Sequence, residues 1–170
     1  MDDTSTIPGR LWGVPRWLTK DEQRAWRGLL HMTAQLEVRV NRQLQQASGL
    51  SQADYYVLAP LSESPDGRLR VYEVGQALGW EQSRLSHHLS RMQTRGLIER
   101  RECESDRRGA FVVLTSAGRE AIEKAAPAHV ATVRALVFDG LSRDQVRVLG
   151  EIAETVLARL DEPQGPPARP

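Results

Sequence analysis

The sequence predicts a mainly α-helical protein with one small β-hairpin in its second half. Apolar residues recur at spacings of three and four through most of the chain, which is the period of an amphipathic helix. After Gly96 the period changes to alternation, first in residues 97–101 and again in residues 110–114. A charged turn, residues 104–109, joins these two segments. The helices therefore flank a two-stranded antiparallel hairpin.

Composition indicates a globular protein and gives no electrostatic signal of its own. Apolar residues make up 40% of the chain, and the formal net charge is +1, so any argument for a nucleic-acid partner must rest on local charge. No apolar run approaches the roughly 18 residues of a membrane span, and residues 1–10 lack the apolar segment of a signal peptide. A single cysteine, Cys103, excludes an internal disulfide. We expect a cytoplasmic protein with no membrane partner.

Capping patterns mark where the helices begin. Thr19 with Glu22, and Ser51 with Asp54, have the spacing at which a side chain and a backbone N–H cap each other reciprocally. Pro127 is expected to kink the fifth helix because it cannot donate a backbone hydrogen bond. The predicted helices are 19–49, the segment from Ser51, 71–78, about 82–95, and the segments capped by Thr115 and Ser142.

Composition and pattern together divide the chain into five parts. Residues 1–18 hold prolines, glycines and two tryptophans, which indicates an arm without regular structure. Residues 162–170 contain four prolines and are expected to be disordered. Residues 50–115 hold the short helices and the hairpin. The long terminal helices, at 19–49 and 116–161, carry more apolar surface than one small domain needs, so we expect them to pair with a second copy of the chain.

The fourth predicted helix has an apolar face and a polar face. Leu85, Leu89 and Met92 recur at i, i+4 and i+7 and are expected to face the core. The opposite face offers hydrogen-bond donors for base edges and phosphates and has no carboxylate. Arg84 is the expected guanine contact, because its planar fork matches the O6 and N7 acceptors. We place His88 at the margin of this face. The candidate DNA-contacting residues are Gln82, Ser83, Arg84, Ser86, His87 and Arg91.

The hairpin tip adds a second basic surface. Residues 68–108 hold nine arginines against six acidic residues, although the chain as a whole has an excess of only one positive charge. Arg107 and Arg108 lie in the predicted turn, from which a side chain can enter a narrow minor groove. We call this hairpin the wing. Asp106 is expected to pair with one of the wing arginines and to orient it. Helix-turn-helix followed at once by such a wing predicts a winged helix-turn-helix domain, and the alternative is that both surfaces are merely solvated.

Two segments resemble signatures of the MarR family of bacterial transcription regulators. Residues 106–118 are similar to the wing signature, which is Asp-x-Arg, an apolar strand and then Leu-Thr-x-x-Gly. The fourth predicted helix corresponds to the recognition helix of the family. Residues 89–100 are similar to the family's sequence at the C-terminal end of that helix, Leu-x-Arg-Met-x-x-Arg-Gly-Leu-Ile-x-Arg. The match extends in order over roughly residues 20–160. The resemblance maps the DNA-binding positions to residues 82–91, Asp106 and Arg108.

The resemblance implies a homodimer that binds double-stranded operator DNA of pseudo-palindromic sequence. It also implies repression of an adjacent gene or of the protein's own gene, and release of the DNA by a small phenolic or other anionic ligand. Two departures from the family pattern prevent the operator sequence from being carried over. Trp80 and Glu81 replace the small polar N-cap of the recognition helix, and a His87-His88 pair occupies its middle.

An effector pocket would lie between the terminal helices and the winged helix. Aromatic walls with a cation suit an aromatic carboxylate or a phenol. The alternative is that the same residues only fill the core or form ion pairs. The candidates are Trp26, Arg27, His31, Tyr55, Tyr56 and His129.

Other hypotheses remain open on the sequence alone. Cys103 suggests a redox-responsive regulator, but it lies on a wing strand, whereas the peroxide-sensing branch of the family has its cysteine on the first helix. A metal-responsive regulator would need clustered ligands, yet the adjacent side chains of His87 and His88 diverge by about 100° on a helix. No acidic residue or cysteine is spaced to complete a metal site with His31 and His129.

A winged helix that binds only protein would not need positively charged residues on both the fourth helix and the wing. No Gly-rich phosphate loop or protease motif occurs, so we expect neither an enzyme nor a cofactor nor a metal site.

Overall fold

The computed structural model describes residues 16–103 and 106–161, and for residues 103 and 106–109 it describes the backbone alone. Most of the predicted arm and the whole predicted tail at 162–170 lie outside these residues. The chain divides into two units, residues 1–35 and 36–170. In the described ranges, no helix combines the length and the apolar character that crossing a bilayer requires.

Helices dominate the described residues, as the sequence predicts. A π-helical segment, Arg134–Phe138, follows the fifth α-helix. The elements in chain order are α1 (Lys20–Ser48), α2 (Gln52–Glu63), β1 (Arg68–Arg70), α3 (Val71–Leu78), α4 (Gln82–Thr94), β2 (Ile98–Cys103), β3 (Asp106–Leu114), α5 (Ser116–Val133) and α6 (Arg143–Asp161). The predicted mainly α-helical fold with a small β-wing is confirmed.

Both predicted capping boxes are present. The Thr19 N–H donates to Oε2 of Glu22 at 2.7 Å, and the Glu22 N–H donates to Oγ1 of Thr19 at 3.2 Å. The second box, between Ser51 and Asp54, has distances of 2.8 and 3.0 Å. α5 continues through Pro127 to its end, and the helical register changes only in the π-helical segment that follows. Local hydrogen bonding therefore fixes the helix starts, as the sequence pattern predicts.

The sheet has three strands and not the two that the sequence predicts. All neighbours are antiparallel in the order β1-β3-β2, and Arg70 of β1 stands opposite Phe111 of β3. Gly67, with φ of +63°, turns the chain into β1, and its carbonyl accepts a hydrogen bond from the N–H of Leu114 at 2.8 Å. β1 escapes sequence analysis because a three-residue strand with two arginines shows no apolar alternation.

The turn of the hairpin is also shorter than predicted. β2 continues to Cys103 and β3 begins at Asp106, with these two residues paired in register. Arg107 and Arg108 therefore belong to β3 and not to a turn over residues 104–109. The charged ends of the strands carry no apolar period that could mark them as strand, because apolar alternation arises only where one face of a sheet is buried.

The core of the 36–170 unit forms where α2, α4, the sheet and α5 contact one another. Leu85, Leu89 and Met92 of α4 are buried, which confirms the predicted apolar face of this helix. Each fully buried side chain of this size contributes about 1.5–3 kcal/mol to folding. The other large side chains with almost no exposure are Leu44, Leu50, Val57, Leu58, Leu61, Val74, Ile98 and Val112.

Candidate nucleic-acid interface

The outer face of α4 is exposed and free of carboxylates. Its buried side holds the helix on the core, so its outer side chains project from a fixed support. No acidic residue occurs between Gln82 and Thr94. Of the predicted contacts on α4, Ser86 is half-buried, and the exposed ones are Gln82, Ser83, Arg84, His87 and Arg91. Such a face can donate hydrogen bonds to anionic and base-edge acceptors without an opposing negative charge.

Arg84 does not extend freely from α4. Its guanidinium carbon lies 4.4 Å from the centre of the Trp80 ring, within the range of a cation–π contact. Trp80 is half-buried, and Glu81 occupies the N-cap position without a side-chain capping bond. Trp80, which directly precedes the N-cap, thus supports Arg84 one turn later. The sequence shows an unusual Trp80 at this position, but the contact with Arg84 is visible only in the structure.

His88 lies on the buried side of α4, which corrects its predicted place at the margin of the outer face. Its side chain is only 5% exposed. Nε2 lies 3.2 Å from Oδ1 of Asp54, and Nδ1 lies 3.0 Å from a guanidinium nitrogen of Arg91. The signal was available in the spacing, because position 88 falls three residues after Leu85 and four before Met92.

Asp54 of α2 contacts three places in the domain: the N-terminus of its own helix, His88 within α4, and Arg95 directly after α4. Besides capping α2, its carboxylate accepts a hydrogen bond from the Arg95 guanidinium at 2.7 Å, and Arg95 also donates to the carbonyl of Gly49 at 3.1 Å. Burial by itself would raise the pKa of the Asp54 carboxyl, but the contacts with His88, Arg95 and Ser51 outweigh it and hold the pKa far below its usual range. Only the cap is predictable from the sequence, since Arg95 lies 41 positions away.

We expect Asp54→Asn to lower the free energy of unfolding by about 2 kcal/mol at pH 7, because Arg95 and His88 lose their charged partner. The pKa of Asp54 is lower in the folded than in the unfolded chain, so its stabilisation is complete above the ordinary value of 3.8 and decreases as the pH falls below it. Urea unfolding at pH 7 and pH 3 measures both effects.

Asp66→Asn is the matched control for that experiment, because Asp66 pairs with Arg68 on the surface with both side chains more than half exposed. It should cost roughly 0–1 kcal/mol. Equal losses for the two variants would show that the buried carboxylate contributes no more than an exposed ion pair.

Arginines of the sheet form a further basic surface beside α4. The guanidinium carbons of Arg68 and Arg70 lie 5.1 and 4.2 Å from the centre of the Phe111 ring. A groove of 820 Å³ separates this strand from the start of α4, and its lining includes Arg70, Gln82 and Ala110. Arg68 and Arg70 contribute to the local excess of positive charge, but the sequence does not indicate that they lie beside α4, because β1 has no apolar alternation.

Solved structures of other proteins supply the deciding comparison. Sco3205, a MarR family transcriptional regulator from Streptomyces coelicolor solved in complex with DNA, is 40% identical. The alignment covers 89% of this chain and 94% of that chain with a TM-score of 0.83. This chain belongs to the MarR family.

Further comparisons agree with the MarR assignment. AbsC, a MarR family transcriptional regulator from Streptomyces coelicolor, is 40% identical, with 86% of this chain and 98% of that chain covered and a TM-score of 0.81. The transcriptional repressor MprA of Escherichia coli (strain K12) is 28% identical over 133 residues, which are 78% of this chain and 74% of that protein. The MarR family model matches residues 48–109, the part that contains the predicted recognition helix and the first strand and turn of the predicted wing.

The predicted MarR wing contacts are placed only in part. Asp106, Arg107 and Arg108 belong to β3 by their backbone, while their side chains lie outside the described part of the chain. Their contact with DNA, and the pairing of Asp106 with an arginine, stay predictions. The same holds for any reactivity of the Cys103 side chain.

The predicted effector residues of this MarR protein fall into two groups. Tyr55 of α2 and His129 of α5 are in contact, with ring centres 4.2 Å apart, while Tyr56 is exposed and its hydroxyl accepts a hydrogen bond from Gln52. Trp26, Arg27 and His31 are exposed on the part of α1 that belongs to the 1–35 unit. The structure thus brings together two of the six candidates.

Proposed function

We propose that this protein is a sequence-specific DNA-binding repressor that acts as a homodimer on a pseudo-palindromic operator, in the cytoplasm at the nucleoid. The observation that carries the proposal is the outer face of α4, which presents Arg84, His87 and Arg91 without any carboxylate. The width of a major groove admits one such helix. Gln82, Ser83 and Ser86 add neutral donors and acceptors at the end of the helix that enters a groove first.

Arg84 is the proposed sequence-reading residue. A guanidinium donates two parallel hydrogen bonds to O6 and N7 of guanine, which no other base pair accepts in the same geometry. Its stacking on Trp80 restricts the side chain before DNA arrives, so less conformational freedom is lost on binding. Arg91 and the wing arginines Arg107 and Arg108 would contact phosphates and the minor groove, while Asp106 would orient the wing.

Exposed apolar side chains on the last helices support the homodimer. A row on α6 includes Leu149, Ile152 and Val156, and Ile152 is 56% exposed. Soluble monomers rarely leave a contiguous apolar surface of this kind open to water. A second copy would cover it with the same surface of its own, and the resulting two-fold axis would match a palindromic operator. The other exposed apolar residues on these helices are Val130, Leu136, Phe138, Val146, Val148, Leu157 and Leu160.

Similar proteins support DNA binding and repression as the function of this chain. Sco3205 is described as a regulator in complex with DNA, and MprA carries the name of a transcriptional repressor. This chain covers 94% of the length of Sco3205 at 40% identity. Sco3205 supports the DNA-binding part of the proposal, and the name of MprA supports repression rather than activation, which we propose for this chain as well.

The test is the affinity of full-length variants for fragments selected from the source genome by the wild-type protein. We expect Arg84→Ala to weaken specific binding by tens of fold or more, because one lost bidentate contact costs about 1–3 kcal/mol in each subunit. Arg108→Ala should weaken binding at the wing. Gel-shift titration with a specific and a scrambled duplex measures both effects.

Arg119→Ala serves as the control, since it also removes an exposed arginine whose described ionic contact is with Glu123 of the same helix. Its affinity should stay within about twofold of the wild type. Equal affinities for the Arg84, Arg108 and Arg119 variants would refute DNA recognition by α4 and the wing.

We also propose that a small phenolic or aromatic anionic effector binds beside Tyr55 and His129 and releases the DNA. Nδ1 of His129 is buried without a hydrogen-bond partner among the described residues. Burial lowers the pKa of His129, so the ring is neutral near pH 7, and burial raises the pKa of the Tyr55 phenol. A carboxylic or phenolic oxygen would satisfy the unpaired nitrogen.

Benzoate, a simple aromatic carboxylate, is the probe for this effector site. It should release the selected fragment from the wild type but not from His129→Phe, which keeps an aromatic ring beside Tyr55 and removes the nitrogen. Equal release from both proteins would place the effector site elsewhere.

A further inference from the structure

The imidazole of His88 connects the core of the domain with the outer face of α4. It is buried, with Asp54 of α2 on its Nε2 side and Arg91 on its Nδ1 side. The edge of the ring also meets Trp80, with ring centres 5.2 Å apart and planes at 90°. The Trp80 ring in turn makes the cation–π contact with the Arg84 guanidinium. One buried side chain thus contacts Arg91 directly and also contacts Trp80, on which Arg84 rests.

The contact with Arg91 determines the tautomer of this imidazole. A guanidinium has donors and no acceptor, so Nδ1 of His88 must accept the hydrogen bond at 3.0 Å. The neutral ring then carries its proton on Nε2, which lies 3.2 Å from Oδ1 of Asp54 without being aligned for a hydrogen bond to it. Asp54 itself is held by Arg95 and by the cap of α2. Arg91 is therefore held by an imidazole of its own helix, and that imidazole lies against a carboxylate of α2.

We propose that His88 is a positioning residue that holds Arg91 ready for DNA, an inference that rests on the DNA-binding function proposed above. A neutral imidazole suits this task better than a carboxylate would. A direct ion pair with Asp54 would neutralise Arg91, whereas the imidazole uses one donor of the guanidinium and leaves its charge and remaining donors for a phosphate or base. Through Trp80, the same ring also supports the plane on which Arg84 rests.

His88→Gln and His88→Asn separate the two contacts of the ring. A glutamine amide reaches the position of Nε2 and can donate to Asp54, but it leaves no acceptor for Arg91. An asparagine places its oxygen near Nδ1, where it can accept from Arg91, but it does not reach Asp54. Thermal unfolding of both variants confirms that binding is compared between folded proteins.

The decisive measurement is a double-mutant cycle on full-length protein with the selected DNA fragment. We expect His88→Gln to weaken binding about fivefold or more in the wild-type background, because Arg91 must then lose its side-chain freedom on binding. In the Arg91→Ala background the same substitution should change the affinity by less than about twofold. His88→Asn should retain more affinity than His88→Gln. Equal losses from His88→Gln in both backgrounds would overturn the proposal, because a purely structural role does not depend on Arg91.

A second readout needs no DNA. Long-range nitrogen–proton correlation spectra distinguish the two neutral tautomers of histidine, and we expect the Nε2–H form for His88, with an Nδ1 shift that moves in Arg91→Ala. An Nδ1–H tautomer would also overturn the proposal. Failure of the DNA-binding function itself would show differently, as a wild-type protein without any preference for the selected fragment.

Discussion

Gly118→Ala is expected to unfold the protein or to lower its free energy of unfolding by about 3 kcal/mol or more. A Cβ at this position would lie 2.0 Å from the carbonyl oxygen of Leu97 and 2.9 Å from a methyl group of Leu114. The oxygen cannot yield, because it accepts a hydrogen bond from the Thr115 N–H at 3.3 Å where the wing joins α5. Since a domain of this kind is stabilised by about 5–15 kcal/mol, such a loss is a large share of the total. Urea or thermal unfolding measures it.

Gly150→Ala is the matched control, because Gly150 also lies within a helix but has no atom within 4 Å of the position of a new Cβ. Alanine there should stabilise the protein by about 0.5–1 kcal/mol through helix propensity. If the Gly118 variant unfolded within a few degrees of the wild type, the close approach of α5 to Leu97 would be wrong.

Leu149→Glu combined with Ile152→Glu is expected to give a monomer that binds operator DNA at least about a hundredfold more weakly. Both side chains lie on the exposed apolar row of α6, and burying carboxylates against a second copy costs several kcal/mol. A monomer contacts one half-site and loses the advantage of two linked contacts. Analytical ultracentrifugation gives the oligomeric state, and gel-shift titration gives the affinity.

Ala158→Glu controls for the added charge. Position 158 is nine residues after Leu149, so it lies on the opposite side of α6 at about 100° per residue, and it is exposed. This variant should remain dimeric and should bind DNA as the wild type does. A double-glutamate variant that stayed dimeric would show that α6 does not form the interface between subunits.

Most helices could be predicted from the sequence because their signals are local. The capping boxes at Thr19 and Ser51 form between residues three apart, and the apolar spacing of α4 directly reflects which side faces the core. The family signatures around Arg91 and in residues 106–118 likewise lie within short continuous segments. The candidate DNA-binding face of α4 was therefore predicted before any tertiary contact was known.

Tertiary structure decided the features that depend on distant partners. β1 is a strand only because β3 pairs with it, and Asp54 is more than a cap only because Arg95 and His88 converge on it. His88 shares the apolar side of α4 despite being polar; its Nδ1 is bonded to Arg91, and the Asp54 carboxylate of another helix lies 3.2 Å from its Nε2. The sequence by itself determined the helices and the exposed basic face, since periodicity and capping are local. Only the folded chain determined how that face is supported, because hydrogen bonds across 41 residues leave no periodic trace.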